Sequence, residues 1–238
     1  MSATSDQLFA ALEATWPPLS SRRVGPFRLR VGGGGGKRVS AAVLEGAHSD
    51  DALDAVETEL GAAPLFQLRD SQSDFDAVLA ARGYDVVDPT LVYSAPITLI
   101  AEAPRPVSLL AAWPPLAMQR QVWLDGGVGP ERVAVMERAC EPKNGFIARF
   151  QNRVAGAGFV AIHDGIAVLH ALQVEEDFRR LGVARYMVRG IAHWAMQNGA
   201  KTYALAVTKA NFNARGLYSQ LGMTEVEAYH YRQKKSSP

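Results

Sequence analysis

The chain has 238 residues, enough for one large domain or two small ones. Hydrophobic residues make up 48% and charged residues 21%, as in ordinary soluble globular proteins, and a formal net charge of +1 offers no global field for nucleic acid or a membrane surface. Cys140 is the only cysteine, which excludes an intrachain disulfide or a cysteine metal site and fits a reducing cytoplasm.

The first residues, MSATSDQLFAALEATWPPL, carry Asp6 and Glu13 with no basic leader or long apolar core, so they do not read as a signal peptide. No stretch approaches the roughly 18 uncharged apolar residues of a spanning helix, and a soluble cytoplasmic protein is expected. Residues 5–15 place Leu8, Ala11, Leu12 and Thr15 at helical spacing, and Pro17-Pro18 end the segment. Strands are expected at 26–31 and 38–44, joined by the glycine run 32–36. Lys37 after that run invites a phosphate-loop reading. It fails on spacing, because Val31 stands where the first Gly belongs and Arg38 replaces the Mg-binding Ser or Thr, so the run reads as a mobile hairpin tip. Asp50-Asp51 open a helix, residues 64–68 read as a strand, and Ser73 or Asp74 caps a helix that Gly83 stops. A strand at 91–95 closes this first half.

Residues 96–115 hold five prolines and suit a semi-rigid connector. The second half reads as helix (129–140), strands (145–151, 154–163, 166–174), helix (182–198), strand (202–207), helix (212–221) and strand (224–232). Val183, Met187, Ile191, Trp194 and Ala195 give the long helix one apolar face, and Gly199 stops it. The most informative stretch is 168–185, VLHALQVEEDFRRLGVAR. An apolar strand ends in an acidic turn, and Arg-Arg-x-Gly-x-Ala then opens a helix. Amides at a helix start have no intrahelical partner, and the helix dipole favours negative charge there. Gly182 lets the backbone approach a phosphate, Ala184 is small, and Arg179 and Arg180 add positive charge at the rim. Taken alone, an ordinary capped strand-to-helix turn explains the stretch equally well.

After one helix and one strand comes Val207-x-x-x-Asn211-x-x-Ala214-x-x-Leu217-Tyr218-x-x-Leu221-Gly222-Met223. Taken together, residues 168–223 resemble the GCN5-related N-acetyltransferase (GNAT) superfamily, whose acetyl-CoA signature is Gln/Arg-x-x-Gly-x-Gly/Ala followed by an Asn and a Leu-Tyr helix end. The likeness in layout covers roughly residues 120–235. It implies an α/β (α+β) GNAT fold: a mixed, mostly antiparallel central sheet flanked by helices. A shift of 139 residues also sets Phe66 on Leu205, Leu68 on Val207, Phe75 on Ala214, Val78 on Leu217 and Arg82-Gly83-Tyr84 on Leu221-Gly222-Met223. That recurrence points to a tandem chain: a degenerate GNAT-like domain at 1–95, a connector at 96–117 and a GNAT acetyltransferase domain at 118–238. The first half lacks the Arg-x-x-Gly-x-Ala turn and has Leu79 where Tyr218 stands, so it serves packing or shapes the substrate site.

The resemblance implies transfer of acetyl from acetyl-CoA to a primary amine by direct attack, with no covalent enzyme intermediate. Backbone amides of Arg180, Leu181, Gly182, Val183, Ala184 and Arg185, with Arg179 beside them, then hold the pyrophosphate. Leu172 and Val174 offer backbone groups to the pantetheine arm, and the Val174 N–H polarises the thioester carbonyl. Tyr218, protonated at neutral pH, is the general acid for the departing thiolate, unless it merely covers a core edge. Asn211 bonds the pantetheine region or fixes the loop, and Asn213 binds cofactor or caps the last helix. His170 is the one ionisable candidate base inside the strand 166–174. Strand parity places it with Ile166, Val168, Leu172 and Val174, company that equally suits a satisfied core histidine. Neither His163 nor His170 has metal-ligand spacing, and no metal is expected.

The acceptor is a small molecule, a peptide N-terminus or a lysine; a homodimer is left open. The rival from another class is a non-catalytic acyl-CoA-binding regulatory module, against which Tyr218 and Asn211 count, since a sensor needs neither. Nucleic-acid binding is disfavoured because the basic pairs Arg22-Arg23, Arg179-Arg180 and Lys234-Lys235 are dispersed and lack interleaved aromatics.

Overall fold

A computed structural model describes residues 3–105 and 108–234 of the protein. Met1 and Ser2 of the segment read against a leader, residues 106 and 107 of the expected connector, and Lys235 of the last basic pair lie outside the described residues.

Helix α1 (Ser5–Ala14) opens on a capping box in which Thr4 accepts from the Gln7 amide and Gln7 accepts from the Thr4 amide. Strands β1 (Ser20–Val24) and β2 (Phe27–Val31) form an antiparallel hairpin. Strand β1 escapes sequence reading because its Ser-Ser-Arg-Arg stretch is exposed throughout and shows no apolar alternation. After the glycine run, α2 (Lys37–Ser40) takes half of the strand expected at 38–44, leaving β3 (Ala42–Leu44) to pair with β2. The positive φ of Gly33, Gly34 and Gly36 turns the chain into that helical turn, which the Ser40 hydroxyl closes by donating to the Gly36 carbonyl.

Helix α3 (Asp50–Leu60) is capped by Ser49 and stops at Gly61. Strand β4 (Leu65–Arg69) leads through a short 3-10 turn into α4 (Ser73–Ala81), so the cap position is Gln72 and both Ser73 and Asp74 lie inside the helix. Strand β5 (Tyr84–Pro96) begins seven residues ahead of the expected 91–95, beyond a kink at Asp88 (φ 46°) and Pro89 that hides its first half from pattern reading. The expected connector carries structure: α5 (Ile97–Ile100) and β6 (Leu109–Ala111) lie within it, and α6 (Ala117–Asp125) begins at its last residue. There follow α7 (Pro130–Arg138), β7 (Lys143–Phe150), β8 (Arg153–His163), β9 (Ile166–Val174), α8 (Val183–Gln197), β10 (Thr202–Thr208), α9 (Phe212–Gln220) and β11 (Thr224–Lys234), each within a few residues of expectation.

Contacts divide the chain into two compact units. One holds the described residues of Met1–Pro17, Val92–Val207 and Phe212–Val226; the other holds those of Pro18–Leu91, Thr208–Asn211 and Glu227–Pro238. These units are not the successive stretches 1–95 and 118–238, because α1 goes with the later segment and β11 runs from one unit into the other.

In the second unit the strands lie in the order β1-β2-β3-β4-β11, antiparallel except for the β3–β4 pair. Phe27, Phe66, Phe75 and Tyr84 meet edge to face or tilted at 5.6–5.9 Å, with Leu53, Val56, Leu68 and Leu79 around them. Leu79 is therefore a core residue. In the first unit the order is β5-β10-β9-β8-β7-β6, with β9 and β10 parallel and β6 through β9 antiparallel. Helix α8 buries Val183, Met187, Val188, Ile191 and Ala195 on one face of that sheet. Two glycines of β8 let it sit close: a Cβ on Gly156 would lie 2.8 Å from Met187 Sδ, and one on Gly158 would lie 3.1 Å from Ile191. Helices α1 and α6 cover the opposite face, through Trp16 against His170 and the Trp123 indole on the Ala171 carbonyl. The result is a mixed, mostly antiparallel sheet flanked by helices.

Candidate functional site

The site begins where β9 loses its partner. The parallel pairing of β9 and β10 runs from Ile166 opposite Thr202 to Leu169 opposite Leu205, and beyond that the two strands part. At the same point β9 bulges. His170 pairs with Phe159 and Gln173 with Ala157, so Ala171 and Leu172 together oppose Gly158. Ala171 takes φ 48°, and the Trp123 Nε1–H donates to its carbonyl at 2.9 Å, holding the bulge open.

The extra residue overturns the parity read from the sequence. His170 shares its face with Ile166 and Val168, as expected, but past the bulge that face belongs to Gln173. Leu172 and Val174 turn to the α8 side, and Leu172 Cδ1 comes within 3.5 Å of a Cβ built on Gly158. The Glu175 amide donates to the Ala155 carbonyl, so the next pair, Gly156 with Val174, is a non-hydrogen-bonded one. The N–H and C=O of Val174 accordingly point away from β8, into the gap between β9 and β10. The Val174 carbonyl accepts from Arg179 Nε at 3.2 Å, which ties the following turn to the strand end.

That turn is anchored from below by Phe178, which is 3% exposed, packs on Phe150 and lies under the Arg153 guanidinium. Arg179, Arg180, Leu181 and Gly182 are exposed above it. Arg180 has φ 61°, and Gly182, at φ 82° and ψ 0°, is the N-cap of α8. A glycine has no side chain to cap with, and no side chain hydrogen-bonds this helix start. The amides of Val183, Ala184 and Arg185 therefore open onto the turn, an arrangement suited to an anion. Val183 is buried and Ala184 half-buried, while the Arg185 side chain donates to Gln220 at 2.7 Å, tying α8 to α9.

Tyr218 on α9 is 7% exposed, its ring 6.1 Å from that of Tyr93, and burial pushes its phenol up to about 12. It is a proton donor throughout the neutral range. Tyr203, on β10, is fully buried with no hydrogen-bond partner for its hydroxyl, and desolvation raises its phenol well above the usual value.

Asn211 is exposed just ahead of α9, its amide bonded to the Thr208 carbonyl, in the segment that belongs with the other compact unit. Asn213 is the second residue of α9, so the capping position expected for it falls to Asn211. His170 is 7% exposed on the face covered by α1 and α6, with Nε2 2.9 Å from the Thr15 hydroxyl and Trp16 at 4.9 Å. Leu172, Val174 and residues 179–185 adjoin one another along the strand end and helix start, Asn213 and Tyr218 lie on α9, which Arg185 ties to α8, and His170 lies apart from them on the face covered by α1 and α6, all within the first unit. Thr15, Trp16, Trp123 and Gln173 also belong to this neighbourhood. No sequence signal finds them, since their roles depend on the bulge and on a helix at the far end of the chain.

Cys140 donates to the Ile162 carbonyl, and burial raises its thiol, which disfavours the thiolate. Among the described residues no group of three or more His, Cys, Asp or Glu is placed to hold a metal, and no helix is long and apolar enough to cross a membrane.

Residues 111–223 match the family model described as the acetyltransferase (GNAT) family. The uncharacterized N-acetyltransferase YobR of Bacillus subtilis (strain 168) is 28% identical, over 93% of this chain and 95% of its own length. A GCN5-related N-acetyltransferase from Kribbella flavida superposes with a TM-score of 0.75 at 16% identity, covering 100% of this chain and 97% of that one. A tandem GNAT protein from the clavulanic acid biosynthesis pathway superposes with a TM-score of 0.61 at 12% identity, over 94% of this chain and 86% of its own.

Proposed function

The chain carries a GNAT-family acetyltransferase domain at residues 111–223, and from that premise we propose that it moves acetyl from acetyl-CoA to a primary amine by direct attack. The observation that carries this reading is the uncapped, glycine-started N-terminus of α8 placed directly after a strand whose end has parted from its neighbour. Free amides at 183–185 and the rim charges of Arg179 and Arg180 suit the diphosphate. The gap between β9 and β10 suits an extended pantetheine arm, which would bond β9 as an added strand does. The inward N–H of Val174 is positioned to stabilise a developing oxyanion on the thioester carbonyl.

Tyr218 then protonates the departing thiolate. Its phenol is held neutral by burial, and α9 is tied by Arg185 to the helix that binds the diphosphate. His170, the candidate base, lies on the opposite face of the sheet from α8, beside Thr15 and Trp16. In this reading the segment before the connector is a degenerate GNAT-like half. Support comes from the recurrence of strand, helix, left-handed glycine and strand in β4-α4-Gly83-β5 and β10-α9-Gly222-β11, with φ 82° and 84° at the two glycines. Its Leu79 lies in a hydrocarbon core and brings no acid to the position that matches Tyr218.

The test is thiol release from acetyl-CoA across a panel of primary amines, comparing wild type with Tyr218→Phe. The expected result is turnover with at least one amine and a kcat lower by roughly 100-fold in the variant, with acetyl-CoA affinity unchanged. Tight coenzyme A binding without turnover on any amine would instead establish a regulatory acyl-CoA-binding module.

A further inference from the structure

Ala171 is an alanine in a conformation that suits glycine. Its φ of 48° lies in the left-handed region, and its methyl group has neither glycine's freedom nor the local hydrogen bonds by which Asn and Asp settle there. A residue so placed persists only where its surroundings hold it. Helix α6 supplies the hold. Trp123, fully buried, has a single donor, and its Nε1–H goes to the Ala171 carbonyl at 2.9 Å. Past the bulge Gln173 adds a second bond, its Nε2 donating at 3.2 Å to the carbonyl of Gly126, the residue that ends α6. A Cβ on Gly126 would stand 2.5 Å from Gln173 Cδ, so the two segments are in close contact there.

This clasp decides the direction of one amide. Ala171 and Leu172 together oppose Gly158, which puts Val174 in the non-hydrogen-bonded place opposite Gly156 and leaves the bonded place at Ala155 to Glu175. If the extra residue were drawn into the ladder, every later residue of β9 would slip by one. Val174 would then take the place of Glu175 opposite Ala155. Its N–H would turn from the gap toward β8, and its side chain would cross to the α6 face.

We infer that Trp123 is a positioning residue for the transfer: by holding Ala171 out of the ladder it keeps the Val174 N–H in the gap, where the thioester carbonyl takes up negative charge. This rests on the transferase reading above and names what holds its oxyanion donor in place. Trp123 acts through the strand and touches no reacting atom.

A merely structural Trp123 would fill the space under α6 without deciding which way Val174 faces. Three full-length proteins separate the two roles: wild type, Trp123→Phe, which keeps a ring but loses the N–H, and Trp123→Phe combined with Ala171→Gly. Glycine adopts the φ of Ala171 without strain, so in the double variant the bulge no longer needs the indole. Hydrogen exchange of the Val174 amide, followed by NMR, reads the register without any turnover. Exchange should be fast in wild type and in the double variant, and slower by at least about tenfold in Trp123→Phe, where the amide joins the ladder. On the best amine, kcat should fall by roughly tenfold in Trp123→Phe, with a smaller change in KM for acetyl-CoA, and recover in the double variant. Equal exchange in wild type and Trp123→Phe, full kcat in a folded Trp123→Phe, or a loss that Ala171→Gly does not restore would each overturn the inference. Should Trp123→Phe not fold, benzothienylalanine in place of Trp123 exchanges only the N–H for sulfur and carries the same expectations. Failure of the wild type to turn over any amine is a different result: it removes the transferase reading, while the exchange rates still decide what holds the bulge.

Discussion

Gly182 matters to the fold and to the proposed chemistry alike. Its φ of 82° is a conformation that costs other residues roughly 1–2 kcal/mol, yet a Cβ there would meet no other atom of the chain within 4 Å. Replacing it with valine should therefore lower stability modestly through backbone strain. If the proposed site holds acetyl-CoA, its affinity should fall further, by at least about tenfold, because the side chain would occupy the space proposed for the diphosphate against the amides. Calorimetry on folded Gly182→Val protein checks this, and undiminished affinity would move the diphosphate elsewhere. Asp76 gives a prediction about stability alone. Its carboxyl, held by Arg232 and then by His230, lies at about 2 instead of the ordinary 3.8. The folded value is the lower one, so the stabilisation is complete above the unfolded value and is lost as pH falls from about 4 through 2. At neutral pH it amounts to about 2 kcal/mol. Urea titrations of wild type and Asp76→Asn should differ by about that much at pH 7 and converge toward pH 2; a gap independent of pH would refute the assignment.

At the scale of elements, the bulge in β9 decides which side chains face which chemistry. It requires close packing opposite: a Cβ on Gly156 would stand 2.6 Å from the Gln173 carbonyl and 2.8 Å from Met187 Sδ, although the backbone there is ordinary for any residue. Gly156→Ala should thus cost about 1–3 kcal/mol by overpacking, and it should weaken acetyl-CoA binding by pushing the strand end from α8. Thermal unfolding and calorimetry read the two effects, and a variant as stable as wild type would show that β9 yields freely. The regular elements of the second half were legible from the sequence because their apolar periodicity and glycine stops are local. The bulge was not. Its one extra residue shows only when β9 is laid against β8, so parity assigned Leu172 and Val174 to the wrong face. Strand β1, exposed along its length, and α6, next to a proline-rich stretch, lacked a periodic signal for the same kind of reason.

For the whole molecule, ligand binding and stability are linked. If acetyl-CoA binds the folded chain alone, a hundredfold excess over Kd should add about 2.7 kcal/mol to the unfolding free energy. A concentration-dependent rise in unfolding temperature follows, and a midpoint indifferent to millimolar acetyl-CoA would contradict the proposed function. The amino-acid order by itself determined the strand-turn-helix at 168–185, the Tyr218 helix, the family likeness and the succession of most elements. All of these are written in contiguous residues, as apolar period, glycine placement and short-range spacing. Only the tertiary structure decided the parting of β9 from β10, the two faces past Ala171, the division into units that interleave along the chain, and the contact of Thr15 with His170. Those features depend on segments distant in sequence being pressed together, and no local pattern encodes which distant residue will arrive.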